Sequence, residues 1–115
     1  MSKVEQFQEE NNNEIEALKQ AIKILNENLT EKSLILIQMG QEMLEMEESL
    51  IKYGTEGEEG LKRLKTKERL GDNYRKLNEE YLQEKSHLEE LLNIQKIKNK
   101  ERNILQDFDD SGRIN

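Results

Sequence analysis

Stepping alternately by three and four residues from Ile15 lands on Ile15, Leu18, Ile22, Leu25, Leu29, Lys32, Leu36, Met39, Met43, Met46, Leu50 and Tyr53. Lys32 is the one member of that series that is neither aliphatic nor aromatic. In an α-helix this spacing keeps every member on one narrow face, the a and d positions of a heptad repeat. A chain with such a stripe must lay it against another helix, because the stripe is too narrow to wall a globular core and too long to leave in water.

The stripe runs into a helix breaker. Gly54-Thr55-Glu56-Gly57-Glu58-Glu59-Gly60 puts Gly54, Gly57 and Gly60 within seven residues, and each glycine costs roughly 1 kcal/mol relative to alanine inside a helix. A turn over residues 54–60 follows. Beyond it Leu70, Tyr74, Leu77, Tyr81, Glu84, Leu88, Leu91 and Gln95 resume the three-four stepping in a different phase, with Leu61 and Leu64 outside that register. A second set, Ile94, Ile97, Ile104 and Phe108, reads as a further slip of phase. Gly71-Asp72 reads either as a kink with Asp72 recapping the helix or as a tolerated weak point.

The predicted organisation is therefore a coiled-coil helix over 14–53, the glycine-rich turn over 54–60 and a second coiled-coil helix over 61–106. Residues 1–13, polar and containing Asn11, Asn12 and Asn13 in a row, read as a disordered lead-in, and residues 107–115 as a disordered tail.

Two all-α architectures fit this pattern: a long antiparallel helical hairpin, and an interrupted rod in which two chains run parallel. In an antiparallel pair a positions oppose d positions, so with these two phases the numbers of opposed residues sum to 106, 113 or 120. The middle value closes the turn between Glu56 and Gly57 and sets Ile22 against Leu91, Leu25 against Leu88, Leu36 against Leu77, Met39 against Tyr74 and Met43 against Leu70. The same register opposes Lys32 to Tyr81 and Glu84 to Leu29, adjacent layers from which Lys32 and Glu84 can pair and fix the register. Charge favours the hairpin as well. Residues 1–60 carry 5 basic and 14 acidic side chains, and residues 61–115 carry 13 and 11, so folding back brings opposite charges together, whereas a parallel rod sets each run beside its own copy.

The first helix also has apolar residues off its seam: Ile24, Leu34, Ile35, Ile37, Leu44 and Ile51. A second apolar face on a lone pair of helices calls for a partner, and Gly40 in its midst is a place where another helix can come close. The expected partners are other helical proteins or a second copy of the chain, joined in a multi-helix bundle. Met39, Met43 and Met46 belong to the seam, where adaptable packing accounts for them.

Composition narrows the function. With 37% charged residues, 33% hydrophobic residues, 4% aromatics and neither Cys, Trp nor Pro, the chain lacks the material of an enzyme domain with a walled pocket. His87 is the only histidine, so no histidine-pair or thiolate metal site is expected, no cofactor is implied, and pairs such as Glu79-Glu80 and Glu89-Glu90 read as solvated faces. Gly54, Gly57 and Gly60 are not followed by the Gly-Lys-Ser/Thr of a phosphate loop. A net charge of −7 argues against nucleic acid, and the basic clusters at 62–76 and 96–102 are matched by acids across the hairpin. Asn28-Leu29-Thr30 matches a glycosylation acceptor but lies on the coiled-coil stripe. Phe108 among Asp107, Asp109 and Asp110 has the look of a short docking motif or of a frayed end.

The longest apolar run, residues 34–37, is far short of a membrane span, and no basic flank precedes an apolar stretch at the N-terminus, so a cytoplasmic or nucleoplasmic protein is expected. The expected function is a non-enzymatic coiled-coil adaptor or structural subunit. The alternative is a small helical-hairpin chaperone or secretion partner that shields an apolar helix of a client.

Overall fold

The structure is a computed structural model that describes the backbone of residues 2–113 and the side chains of residues 2–107. Two helices, α1 (Lys3–Tyr53) and α2 (Gly57–Arg113), pack antiparallel as a hairpin, with no strand among the described residues. Both helices are longer than their apolar stripes predict. α1 begins at Lys3 rather than near residue 14, α2 begins at Gly57 rather than at 61, and it continues to Arg113 through most of the stretch expected to be a disordered tail. The last two residues of that tail, and the side chain of Phe108, lie outside the described residues.

The early start of α1 has a local cause. The Ser2 hydroxyl accepts from the Glu5 backbone N–H at 3.2 Å, and the Glu5 carboxylate accepts from the Ser2 N–H at 3.3 Å. This reciprocal capping box satisfies two of the donors that a helix start leaves without partners. It converts the polar lead-in into a first turn.

The turn is tighter than the glycine segment. Only residues 54–56 lie outside the two helices. Gly54 takes a φ of 80° and donates to the Leu50 carbonyl at 2.9 Å, the left-handed stop that glycine accepts without a Cβ clash. Gly57 takes a φ of 76° and opens α2. Gly60 serves differently: it is buried, and a Cβ there would overlap the Thr55 backbone. Arg63 completes the turn by donating to the carbonyls of Tyr53 and Gly54, both at 3.1 Å, so a side chain from α2 satisfies the C-terminal acceptors of α1.

The chain divides into two compact units, Met1–Glu27 with Ser86–Asn115, and Asn28–Lys85. In the Asn28–Lys85 unit, Leu29 and Leu36 are buried, while Met39, Met43, Met46 and Leu50 are half-buried, as are Leu70, Tyr74, Leu77 and Tyr81 on α2. Tyr53, the last member of the sequence stripe, is exposed. α2 is helical through Gly71-Asp72, and Asp72 pairs with Arg75 instead of recapping the helix.

In the other unit Ile15 and Ile22 are buried, with Leu18, Leu25, Leu88 and Leu91 half-buried. Here the stepping continues in its original phase in both directions. Toward the N-terminus it takes in Val4, Gln8 and Asn11, and along α2 it takes in Gln95, Lys98 and Leu105. The predicted slip of α2 does not occur: Ile94, Ile97 and Ile104 are exposed. A slip would have buried three isoleucines only by turning Lys98 and Leu105 away from α1, whose own stripe keeps its phase.

The register is legible in the polar contacts that cross between the helices within each unit: residue 8 with 105, 11 and 14 with 98, 32 with 80 and 84, and 47 with 67. Their number sums scatter closely about 113, the register that closes the turn between Glu56 and Gly57.

Two measurements check this pairing and its turn. Leu25→Cys with Leu88→Cys, introduced into a chain with no other cysteine, should form an intrachain disulfide on oxidation at low concentration, read on a non-reducing gel; bonds solely between chains would mean a different pairing. Gly60→Ala should lower the melting temperature, although alanine gains about 1 kcal/mol over glycine in an open helix, because its methyl meets the Thr55 backbone.

Candidate interaction surfaces

Lys32 is the polar break in the seam of α1, and its ammonium donates to Glu84 Oε1 with Glu80 Oε2 a further 3.7 Å contact. Both Lys32 and Glu84 are half-buried. The hydrogen bond to Glu84 raises the Lys32 pKa above its ordinary 10.5, opposed by desolvation and aided by the charges of Glu84 and Glu80. Glu84 Oε2 is buried and has no hydrogen-bond partner, so Lys32 is the group that holds this carboxylate in the seam.

A second polar layer lies in the Met1–Glu27 with Ser86–Asn115 unit. Lys98 contacts Glu14 and, at 3.5 Å, Glu101, and the hydrogen bond from Lys98 to Glu14 raises the lysine pKa as well. Asn11 is buried and donates to the Lys98 carbonyl at 3.3 Å, while Gln8 donates to the Leu105 carbonyl at 3.4 Å. Asn11, Glu14, Lys98 and Glu101 border an open groove of about 350 Å³ with Phe7 and Ile104 on its apolar side. None of this layer is visible as an apolar stripe. It becomes visible in the sequence once the stepping is continued backward from Ile15.

The off-seam residues of α1 are exposed. Leu34 is 64%, Ile37 59%, Leu44 61% and Ile51 86% exposed, with Ile35 and, in the other unit, Ile24 also open to solvent. Leu34, Ile37, Leu44 and Ile51 fit the same three-four stepping as the seam, through Gln41 and Glu48, and so form a second stripe along α1.

Heptad positions tell which parts of α2 share that side. In an antiparallel pair the g positions meet on one flank and the e positions on the other, and Lys98 reaching both Glu14 and Glu101, each a g residue, marks the first flank. Ile37, Leu44 and Ile51 are b residues on the e side. So are Leu61 and Leu82 on α2, with Leu64 at e, all three exposed. Gly40 and Gly71 occupy e positions there, and a Cβ at either would meet nothing within 4 Å. The Asn28–Lys85 unit thus presents on one flank Ile37, Leu44 and Ile51 of α1 and Leu61, Leu64 and Leu82 of α2, with Gly40 and Gly71 between them and with Glu68 and Arg75 interrupting the α2 part.

At the turn, Arg63 also lies 5.7 Å from the Tyr53 ring centroid and Lys52 lies 5.3 Å from it. His87 is exposed and sits 3.8 Å from Glu90 one helical turn away. Among the described residues no group of His, Cys, Asp and Glu is arranged to hold a metal ion, and no helix is long and apolar enough to cross a membrane. No protein-family model, curated protein or solved structure matches the chain.

The raised lysine pKa values carry a sign. A lysine whose folded-state pKa lies above its unfolded value stabilises the fold fully below the ordinary 10.5 and loses that contribution as pH rises through the raised value. Thermal melts should therefore show this component intact from neutral pH up to 10.5 and falling above it. In a Lys32→Met variant the alkaline fall should be shallower, with Lys98 supplying the remainder; an identical fall in both proteins would remove the pair from the account.

Proposed function

We propose that the protein is a non-enzymatic coiled-coil adaptor, a structural subunit of a larger cytoplasmic assembly, which works by packing the second apolar stripe of α1 against a partner helix. The observation that carries this reading is the exposure of Leu34, Ile37, Leu44 and Ile51 in a chain in which 37% of residues are charged. Scattered single apolar residues on a surface need no explanation, but a row at helical spacing, with Leu61, Leu64 and Leu82 beside it, is the form of a helix-docking face.

The spacing of the stripe defines the kind of partner that fits. A stripe stepping by three and four accepts another helix by knobs-into-holes packing, and the two open glycines on the same flank permit close approach of its backbone. The lone histidine and the absence of cysteine support a role in assembly instead of covalent or acid-base chemistry.

The test is to purify tagged wild type and an Ile37→Glu/Leu44→Glu variant from the native cell and to count what accompanies each. Several helical proteins at fixed stoichiometry should come with the wild type and be lost from the variant at unchanged helicity. A single client at one-to-one stoichiometry would favour the hairpin-chaperone reading, and identical recovery with both proteins would overturn the role of this face.

A further inference from the structure

We infer that the open groove of the Met1–Glu27 with Ser86–Asn115 unit, together with the flank that continues from it, is a docking site for a basic amphipathic helix of another protein. The apolar residues of that helix lie against Phe7, Ile97 and Ile104, and its lysines or arginines meet Glu10, Glu14 and Glu101. This surface is on a different unit from the face proposed above and does not rest on it.

Heptad positions define the surface. Every residue that lines the groove occupies a g, c or d position, so the groove belongs wholly to the flank that Lys98, Glu14 and Glu101 mark. The g and c positions continue along the unit as Ala17, Ala21 and Ile24 on α1 and as Ile94 and Ile97 on α2, all exposed. From Phe7 to Ile24 this row covers roughly 26 Å of helix. A compact ligand would fill the groove and leave the rest of the row bare. A helix laid along the flank covers both, and the two alanines let its backbone come close.

Charge chooses the kind of helix. Apart from His87, the charged residues at the described g and c positions of this unit are the acids Glu10, Glu14, Glu90 and Glu101 and the base Lys3. Lys98 reaches this flank from the seam, but it is shared between Glu14 and Glu101, and Glu10 enters no ion pair among the described residues. The groove is therefore lined by three carboxylates and one ammonium. Asn11, which also lines it, repeats the demand: it is only 6% exposed, its Nδ2 is spent on the Lys98 carbonyl, and its Oδ1 is buried with no hydrogen-bond partner. Surplus carboxylate at the rim and a spare acceptor beneath it both call for donors that carry positive charge, as lysine and arginine side chains do. A second copy of the chain does not supply them here, because a two-fold contact through this flank would set its acids against themselves.

The experiment uses the full chain and two labelled synthetic peptides of about five helical turns, one with leucines and lysines at three-four spacing and one with glutamates in place of the lysines. Fluorescence anisotropy should show the lysine peptide binding and the glutamate peptide not binding. Because the chain carries a net charge of −7, unspecific attraction is controlled by two double variants of equal charge. Glu10→Gln with Glu101→Gln, on the flank, should weaken binding roughly 10-fold, whereas Glu9→Gln with Glu16→Gln, both at b positions, should leave it unchanged. Ile97→Ser, at a side chain exposed in the free chain, should also weaken binding at unchanged helicity, and Ile37→Ser on the other unit should not. A lysine peptide that fails to bind, equal losses in the two double variants, or an affinity untouched by Ile97→Ser overturns the inference. So does a dimer of the chain, seen in sedimentation, that Ile97→Ser dissolves, since the occupant would then be a second copy.

Discussion

The pairing of Lys32 with Glu84 stops the two helices from sliding past each other. A seam of leucines, isoleucines and methionines is nearly indifferent to a shift of one heptad, and registers summing to 106, 113 or 120 all yield apolar layers. The middle one brings these two charges into contact, whereas the register summing to 106 would part them by three layers. A shift to that register would set Glu84 against Ile22 and away from Lys32, in a position where one of its oxygens is already buried and unpartnered. Removing a partner from such a carboxylate costs more than the pair itself contributes, so the pair serves specificity more than stability. The buried Ile15, Ile22, Leu29 and Leu36, each contributing on the order of 2 kcal/mol on burial, supply the driving force.

The turn enforces the same register by independent means. Gly54 and Gly57 take left-handed backbone conformations, Gly60 admits the Thr55 backbone, and Arg63 reaches back to the last carbonyls of α1. A turn built this way has a defined length, and a shift by one heptad would require lengthening it at the expense of a helix end. Turn chemistry and the charged layer therefore agree, the condition under which a weakly specified apolar seam still gives one structure. In the Met1–Glu27 with Ser86–Asn115 unit the seam is more polar, and Gln8, Asn11 and Lys98 hold the helices by hydrogen bonds to backbone and carboxylate where leucines would otherwise interdigitate.

The middle of the fold is legible from the spacing of apolar residues, because Ile15 to Leu50 repeat without interruption except at Lys32. Its ends are not, for identifiable reasons. Three consecutive asparagines look like a disordered lead-in, yet the Ser2–Glu5 capping box starts a helix there, and that box is itself a readable signal in the sequence. On α2 the isoleucines at 94, 97 and 104 suggest a slipped stripe because a single helix carries no information about which face its partner presents. The phase is decided by α1, which continues through Asn11 and Gln8. The second stripe of α1 can be read from residue spacing, but its continuation onto Leu61, Leu64 and Leu82 becomes visible only when the antiparallel register assigns those residues to the same flank.

The divided charge of the chain acts at more than one level. Exposed ion pairs are individually worth about 0–1 kcal/mol, so the acids of α1 and the bases of α2 do not hold the hairpin closed by themselves. Their effect lies in excluding a parallel rod, in which each run would face its copy. Apolar stripes attract every other apolar stripe without preference for direction, whereas a helix acidic along one stretch and a helix basic along the facing stretch accept each other in one alignment. On that division of labour the apolar seam supplies the energy of pairing, and the charge pattern excludes the wrong pairings.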